Sequence, residues 1–342
     1  MSSDKVEIAG SGWHRRLNEQ FAVGVSRCCW LLVGGLSVCS FATFFASHFW
    51  IADLLANLRV QQIIGGFSVL VIGLLIRQWR LALITCALVA LHLPWLFKAF
   101  PHASNSKNTR HAITVTSVNV LSENLEYDLV VADLLKTNAD VFAVLELTPA
   151  WDQKLRQQLP AYSYVISRSE NVGDFGVGVY SKYPLGDIEV FQAVEAIDSL
   201  AVTVEVERSE DSVHKFRLFV THPLPPMNPT LFEARNHQLR DVAERIQKYR
   251  QQPSEIPVVL LGDLNLTPWS PWFAEFQSQS GLVRGISRFT IEPTWYRFSG
   301  FPFGLVLDHG LIDPSLVCTQ FQVGGPIGSD HRSITLRIAF EE

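Results

Sequence analysis

Residues 112–342 contain a single cysteine, Cys318, so no disulfide can close within that stretch. The other four, Cys28, Cys29, Cys39 and Cys86, lie in apolar N-terminal runs, and no Cys or His pair follows them at the spacing of a zinc site. Stability must come from a hydrophobic core, which a segment of this length can build in the cytoplasm or in the periplasm.

Basic charge is scarce in the same stretch. From residue 111 onward, 18 Lys/Arg stand against 29 Asp/Glu, giving 18 − 29 = −11. Proteins that hold long nucleic acid non-specifically depend on a basic surface, because displacing counterions from phosphates supplies much of the affinity. Extended nucleic-acid binding is therefore disfavoured, a small basic cleft aside. Internal repeats and low-complexity tracts are also missing.

Charge is absent altogether from Cys28–Phe49, an apolar run long enough to cross a bilayer as a helix. Two shorter runs, roughly Val60–Ile76 and Leu81–Phe97, flank Arg77–Arg80 (RQWR), which reads as the turn of a transmembrane hairpin. A soluble all-helical domain is the alternative, but three nearly uncharged runs leave it little polar surface. A cleaved signal peptide is disfavoured by the length of the first run and by the two that follow. Lys5, Arg15, Arg16 and Arg27 precede the first run, Arg77 and Arg80 separate the other two, and loop 50–59 carries only Arg59. By the positive-inside rule the N-terminus is cytoplasmic, and three crossings place the rest of the chain on the periplasmic side of a bacterial inner membrane. If one short run does not span, that side becomes the cytoplasm. The expected organisation is a cytoplasmic tail (1–27), a multi-pass anchor of about three helices (28–100), a polar linker (101–111) and a catalytic domain (112–342).

From Ala112 the pattern changes to short β-branched or apolar runs, ITVTSVNV, DVFAVLEL, SYVIS, GVGVYS, AVTVEVE, FRLFVTH, PVVLLGDLN and SITLRIAF. Helical spacing appears at Tyr127–Thr137, Ala150–Gln158 and Thr230–Arg250, so an α/β layered fold is expected. Polar residues recur where the strands end: Asn119, Glu146, His222, Asp263, Asn265, Asp308 and the pair Asp330–His331. Each has an ordinary reading as a cap, turn or core residue. However, an unpaired carboxylate after a run as apolar as the one before Glu146 is costly, and the Asp-x-Asn of GDLN sends two polar groups to one side of a strand.

The ordered set SVNV, LEL, GVGVYSKYPL, TH, GDLN, LDH and SDH resembles the endonuclease/exonuclease/phosphatase superfamily, which includes exonuclease III-type nucleases, deoxyribonuclease I and neutral sphingomyelinases. The resemblance covers residues 112–338. It implies an α/β (α+β) four-layer sandwich, with two packed mixed β-sheets flanked by helices, and a Mg²⁺-dependent phosphoric ester hydrolase in which Mn²⁺ is a possible substitute. Its implied metal ligands are Glu146 first, with Asn119 and Asp330 directly or through water. Asp263 is the implied base for the attacking water, and Asn265 holds that water or a phosphate oxygen. His331 donates to a non-bridging oxygen with Asp308 fixing its tautomer, and His222 contacts phosphate or assists the leaving group. His222 matches the deoxyribonuclease and sphingomyelinase branches and departs from the exonuclease III branch. The expected substrate is a lipid head group or a small phosphodiester; a membrane-tethered DNA nuclease, with Trp295 stacking on a base, and an inactive adaptor are the alternatives. Phe301 and Phe303 in Ser299–Leu305 are candidates for an interfacial loop or an apolar pocket.

Overall fold

The computed structural model describes residues 4–102, 112–169, 174–209, 212–252, 256–297 and 304–340. Most of the expected linker (103–111), together with Phe301 and Phe303, lies outside the described residues. The chain divides into two units, Met1–Phe97 and Lys98–Glu342.

The first unit is helical: α1 (Asp4–Ala42), α2 (Trp50–Asn57), α3 (Arg59–Leu75) and α4 (Trp79–His92), with α4 continued by a 3₁₀ segment, Leu93–Ala99. Two helical spans are long and apolar enough to cross a membrane, Gln20–Phe45 and Trp79–Ala99. A third exists if α2 and α3, bent by 63°, count as one. The first span thus begins and ends earlier than the uncharged run Cys28–Phe49. Helical structure runs out after the 3₁₀ turn Thr43–Phe45, and Phe49 is extended (φ −128°, ψ 127°) ahead of α2. RQWR is only partly a turn: Arg77 is left-handed (φ 59°) and Gln78 N–H returns to the Gly73 carbonyl, while Trp79 and Arg80 already belong to α4. Large apolar side chains face outward, among them Leu31 (78% exposed) and Leu83 (73% exposed), whereas Ser40, Arg59, Gln62 and His92 are buried. Ser40 and His92 share a hydrogen bond of 2.9 Å, and Arg59 lies over the Trp95 ring at 4.2 Å.

The second unit runs β1 (Ala112–Asn119), α5 (Tyr127–Thr137), β2 (Val141–Leu145), α6 (Pro149–Gln158), β3 (Tyr164–Arg168), β4 (Val177–Ser181), β5 (Leu185–Val194), β6 (Ile197–Ser209) and β7 (Ser212–Thr221). It continues with α7 (Pro229–Arg250), β8 (Val258–Asp263), α8 (Pro271–Ser280), β9 (Val283–Arg284), β10 (Asp308–Ile312), β11 (Leu316–Val323) and β12 (Ile334–Phe340). Two six-stranded mixed sheets result, ordered β11-β12-β1-β2-β4-β3 and β5-β6-β7-β8-β10-β9.

Alternation of side chains across each strand sorts them into layers. Val141, Ala143 and Leu145 of β2 meet Leu218, Val220, Val259 and Leu261 between the sheets. The intervening Phe142 and Val144 face Val130, Leu134 and Trp151 of α5 and α6, while Phe219 and Leu260 face Leu239, Val242 and Phe273 of α7 and α8. Both faces of the central strands are covered, which is why β2, β4 and β8 read as nearly continuous apolar runs rather than alternating ones, and why β10 is buried along its whole length. The helices are started by their own sequence: Thr148, Asn228 and Ser270 cap α6, α7 and α8 through side-chain oxygens that accept backbone N–H, each ahead of a proline in the first turn. This is the expected four-layer sandwich.

Candidate active site

Parallel pairing sets the ends of neighbouring strands side by side. β1 runs parallel to β2 with Asn119 opposite Leu145, and β7 runs parallel to β8 with Thr221 opposite Gly262. Antiparallel β10 begins where β8 ends, with Asp308 directly opposite Asp263. Antiparallel β12 brings the residues before Ile334 back beside the end of β1. Asn119, Glu146, His222, Asp263, Asp308 and His331 are all buried at this rim.

Direct contacts join them across the two sheets. Asn119 donates its amide N–H to Glu146 Oε1 at 2.8 Å and to Asp263 Oδ2 at 3.5 Å. Glu146 Oε2 accepts from the Ser122 backbone N–H at 3.1 Å. Glu146 sits at φ 58° immediately after β2, a conformation an L-residue adopts only at a cost, and one that turns its carboxylate out of the strand direction. Asp263 Oδ2 lies 3.4 Å from His331 Nε2 and 3.5 Å from His222 Nε2, and His331 Nδ1–H donates to Asp308 Oδ2 at 2.8 Å.

Charge in so enclosed a place is set by its neighbours. Burial opposes the positive form of His331, but the Asp308 and Asp263 carboxylates outweigh it and push the imidazole up to about 10. Burial likewise opposes ionisation of Asp263, yet the charge of His331 and the hydrogen bond from His222 hold its carboxyl down at about 2. His222 is raised, its burial overcome by Asp263 and Glu146. Glu146 is raised by burial, against the pull of His222 and the Asn119 hydrogen bond. Its hydrogen-bond donors are neutral, and among the described residues no lysine or arginine pairs with it.

One sequence expectation is revised in detail. Asn265 does not continue the strand. It is left-handed (φ 50°), its backbone N–H closes on Asp263 Oδ1 at 2.9 Å, and its amide donates to the Pro223 carbonyl at 2.8 Å, tying the GDLN turn to the loop after His222. Trp295 donates its indole N–H to Oδ2 of the half-buried Asp330 at 2.8 Å, which fixes the edge of its ring beside that carboxylate.

Several supporting residues escaped the sequence reading. Thr294 Oγ1 accepts the backbone N–H groups of Leu307 and Asp308, at 3.0 and 2.9 Å. Ser329 donates its hydroxyl to the Asn119 carbonyl, and Phe175 stacks at a tilt on His222 with ring centroids 5.4 Å apart. None of these carries a local pattern. Arg235 does: it lies at helical spacing with Leu239, Val242 and Ile246 on the buried stripe of α7, and its guanidinium reaches the Asn265 carbonyl at 3.3 Å.

The sequence model of the Endonuclease/Exonuclease/phosphatase family matches residues 116–331. The chain belongs to that family. Its members are phosphoester hydrolases that typically use divalent metals, and the buried group of Asp263, Asp308 and His331 offers ligand atoms within 4.8 Å of one another. Among solved structures, an endonuclease/exonuclease/phosphatase family protein of Bacteroides thetaiotaomicron superposes with a TM-score of 0.56 at 15% identity, covering 68% of this chain and 97% of that one. A mannosyl-6-phosphatase of the same organism gives 0.53 at 15% identity, covering 67% and 100%. The TDP2 protein of D. rerio, complexed with a single-stranded DNA product, gives 0.55 at 18% identity, covering 67% and 99%. These likenesses establish the sandwich. No curated protein matches the sequence.

Proposed function

We propose that the chain is a membrane-anchored, divalent-metal-dependent phosphoesterase that hydrolyses a lipid head group or a small phosphodiester by in-line attack of water. The observation that supports this most is the contact of Asn119–Glu146 from one sheet with Asp263–His331–Asp308 from the other, a juxtaposition that a structural cap or turn does not require.

The donor set suits a hard cation: Glu146 is a buried carboxylate that no lysine or arginine pairs with among the described residues, and Asp308 Oδ1 is buried without a hydrogen bond. Glu146, with Asn119 and Asp330 directly or through water, would hold Mg²⁺ or Mn²⁺. When bound, that ion neutralises charge on the phosphoryl oxygens. Asp263, kept anionic by two imidazoles, orients the attacking water and takes its proton late, once the forming P–O bond has made that water acidic. His331, held cationic by Asp308, donates from Nε2 to a non-bridging oxygen, while Asn265 supports the water or a phosphate oxygen. His222 gives a proton to the leaving alkoxide as the ester P–O bond breaks.

The acidic balance of residues 111–342 and the outward-facing apolar helices favour a small or lipid-borne phosphate over a long nucleic acid. Three crossings put the catalytic unit in the periplasm. The full chain in detergent, assayed with Mg²⁺ on choline and inositol phospholipids and on plasmid DNA, should turn over lipid, with Asp263→Asn lowering the rate at least about 10³-fold. DNA nicking without lipid turnover overturns the substrate, and survival of activity in Asp263→Asn overturns the site. A reporter fused after residue 105 that is active only in the cytoplasm reverses the topology.

A further inference from the structure

The second unit holds a buried arginine for which the catalytic rim has no use. Arg284, in edge strand β9, is 7% exposed, and one N–H of its guanidinium donates to the Lys98 carbonyl at 2.6 Å. Among the described residues no carboxylate pairs with it, and burial pushes it down to about 9 with no acid to pull it back. An arginine taken out of water without a counter-charge is expensive, and proteins normally supply either a carboxylate or a ligand in its place.

A cavity of about 170 Å³ lies against this side chain. Its walls are Val283, Ile286, Ile312 and Leu316 with Cys318, and its polar lining is Arg284, Ser287 and His102, with no aspartate or glutamate. The Ser287 oxygen already accepts the Phe321 backbone N–H at 3.0 Å, which leaves its hydroxyl proton to give away. The remaining guanidinium nitrogens are not among the enclosed, unbonded atoms, so they reach accessible space. The cavity thus presents donors and one fixed positive charge on an apolar floor. It would complement a phosphate oxyanion carrying a small apolar or glycerol-like group, since the guanidinium fork matches two oxygens at once. It also lies where the chain enters this unit: Pro101 and His102 line it, two and three residues beyond Ala99, where the span Trp79–Ala99 ends.

We infer that Arg284, Ser287 and the cavity beside them form a second, non-catalytic site for a phosphate oxyanion, of the kind borne by an anionic phospholipid or by free phosphate. Nothing in this inference depends on the catalytic reading, and Asp263→Asn should leave the site intact.

The test uses the full chain in detergent with EDTA, so that metal-dependent binding at the catalytic rim is silent. Calorimetric titration with inorganic phosphate should show a component that weakens at least tenfold in Arg284→Met. Val317→Phe, which fills the cavity while keeping the Arg284 to Lys98 bond, should weaken it equally and guards against a folding defect in the first variant. In nanodiscs, a rise in thermal midpoint on adding phosphatidylglycerol to phosphatidylcholine, lost in both variants, identifies lipid as the source; phosphate binding without that rise identifies the free anion. Absence of both effects, or identical binding in wild type and variants, leaves Arg284 as a latch on the Lys98 carbonyl and overturns the site.

Discussion

Asp308 stands directly opposite Asp263 in the β8–β10 register, and His331 reaches both, with Nδ1–H on Asp308 and Nε2 toward Asp263. One imidazolium therefore serves two carboxylates, and its orientation depends on the one it bonds more closely. Asp308→Asn keeps an acceptor of the same shape and removes the charge that sustains the positive form of His331. Turnover is expected to fall by about 10²–10⁴-fold, mainly in kcat, with the thermal midpoint little changed. A loss seen only in KM would place Asp308 outside the reacting chain of groups.

That register was half legible from the sequence. The strand-end positions of Asn119, Glu146, His222 and Asp263 follow from apolar runs that stop at a polar residue, and a period-two pattern places them on a sheet rim. What no local pattern carries is long-range pairing: strand β5, the two-residue β9, and β11 with its register shift between Cys318 and Gln320 take their places from partners far along the chain. Asn265 departs from the expected strand because β8 ends at Asp263, where Asn265 N–H bonds the aspartate and closes a turn that an Asp-x-Asn spacing alone does not distinguish from two more residues of strand.

Thr294 shows how a residue without any motif can fix the site. Its hydroxyl oxygen accepts the buried N–H groups of both Leu307 and Asp308. Thr294→Val strands both donors, at a cost of roughly 2–4 kcal/mol, and frees the start of β10 to drift. Denaturant unfolding should show the loss, accompanied by lower activity, whereas Thr294→Ser should restore both. An unchanged midpoint in the valine variant would mean that water replaces the hydroxyl.

Gly262 is required by the close approach of β7 and β8. A Cβ there would lie 2.1 Å from the Thr221 carbonyl oxygen, a backbone atom that cannot rotate away. Because Thr221 and Gly262 are register partners, separating them displaces His222 and Asp263 together. Gly262→Ala should destabilise by about 3 kcal/mol or more and abolish activity in whatever fraction folds. Chemical denaturation beside an activity assay on the soluble fraction reads both effects.

His309 follows Asp308 in the chain but belongs to the core. Its Nε2–H donates to the Leu266 carbonyl at 2.9 Å, and burial, aided by Arg284, pushes its pKa down to about 3. The unfolded imidazole titrates near 6.5, so the unfolded state binds the extra proton first as the pH falls. Stability from this residue is complete above about pH 6.5 and is lost toward pH 3, at a slope of at most about 1.4 kcal/mol per pH unit. His309→Gln retains a donor for Leu266 and cannot titrate. Its unfolding free energy should therefore decline less steeply than that of the wild type between pH 7 and 5; parallel slopes would show that His309 is protonated in the fold.

Glu146 offers the clearest link between metal and stability. Its backbone is held at φ 58°, and its carboxylate is buried, hydrogen-bonded among the described residues by the neutral donors of Asn119 and Ser122, and raised in pKa mainly by that burial. A cation bound there stabilises the folded chain by RT ln(1 + [L]/Kd), about 2.7 kcal/mol at a hundredfold excess over Kd, and EDTA removes it. Metal competes with a proton for this group, so the Mg²⁺-dependent rise in midpoint should shrink as the pH falls from 8 to 5.5, sooner than for a carboxylate with an ordinary pKa. Glu146→Gln should eliminate the rise at every pH. Should that variant keep the full Mg²⁺ effect, the cation is held instead by Asp263, Asp308 and His331, a buried group whose ligand atoms lie within 4.8 Å of one another.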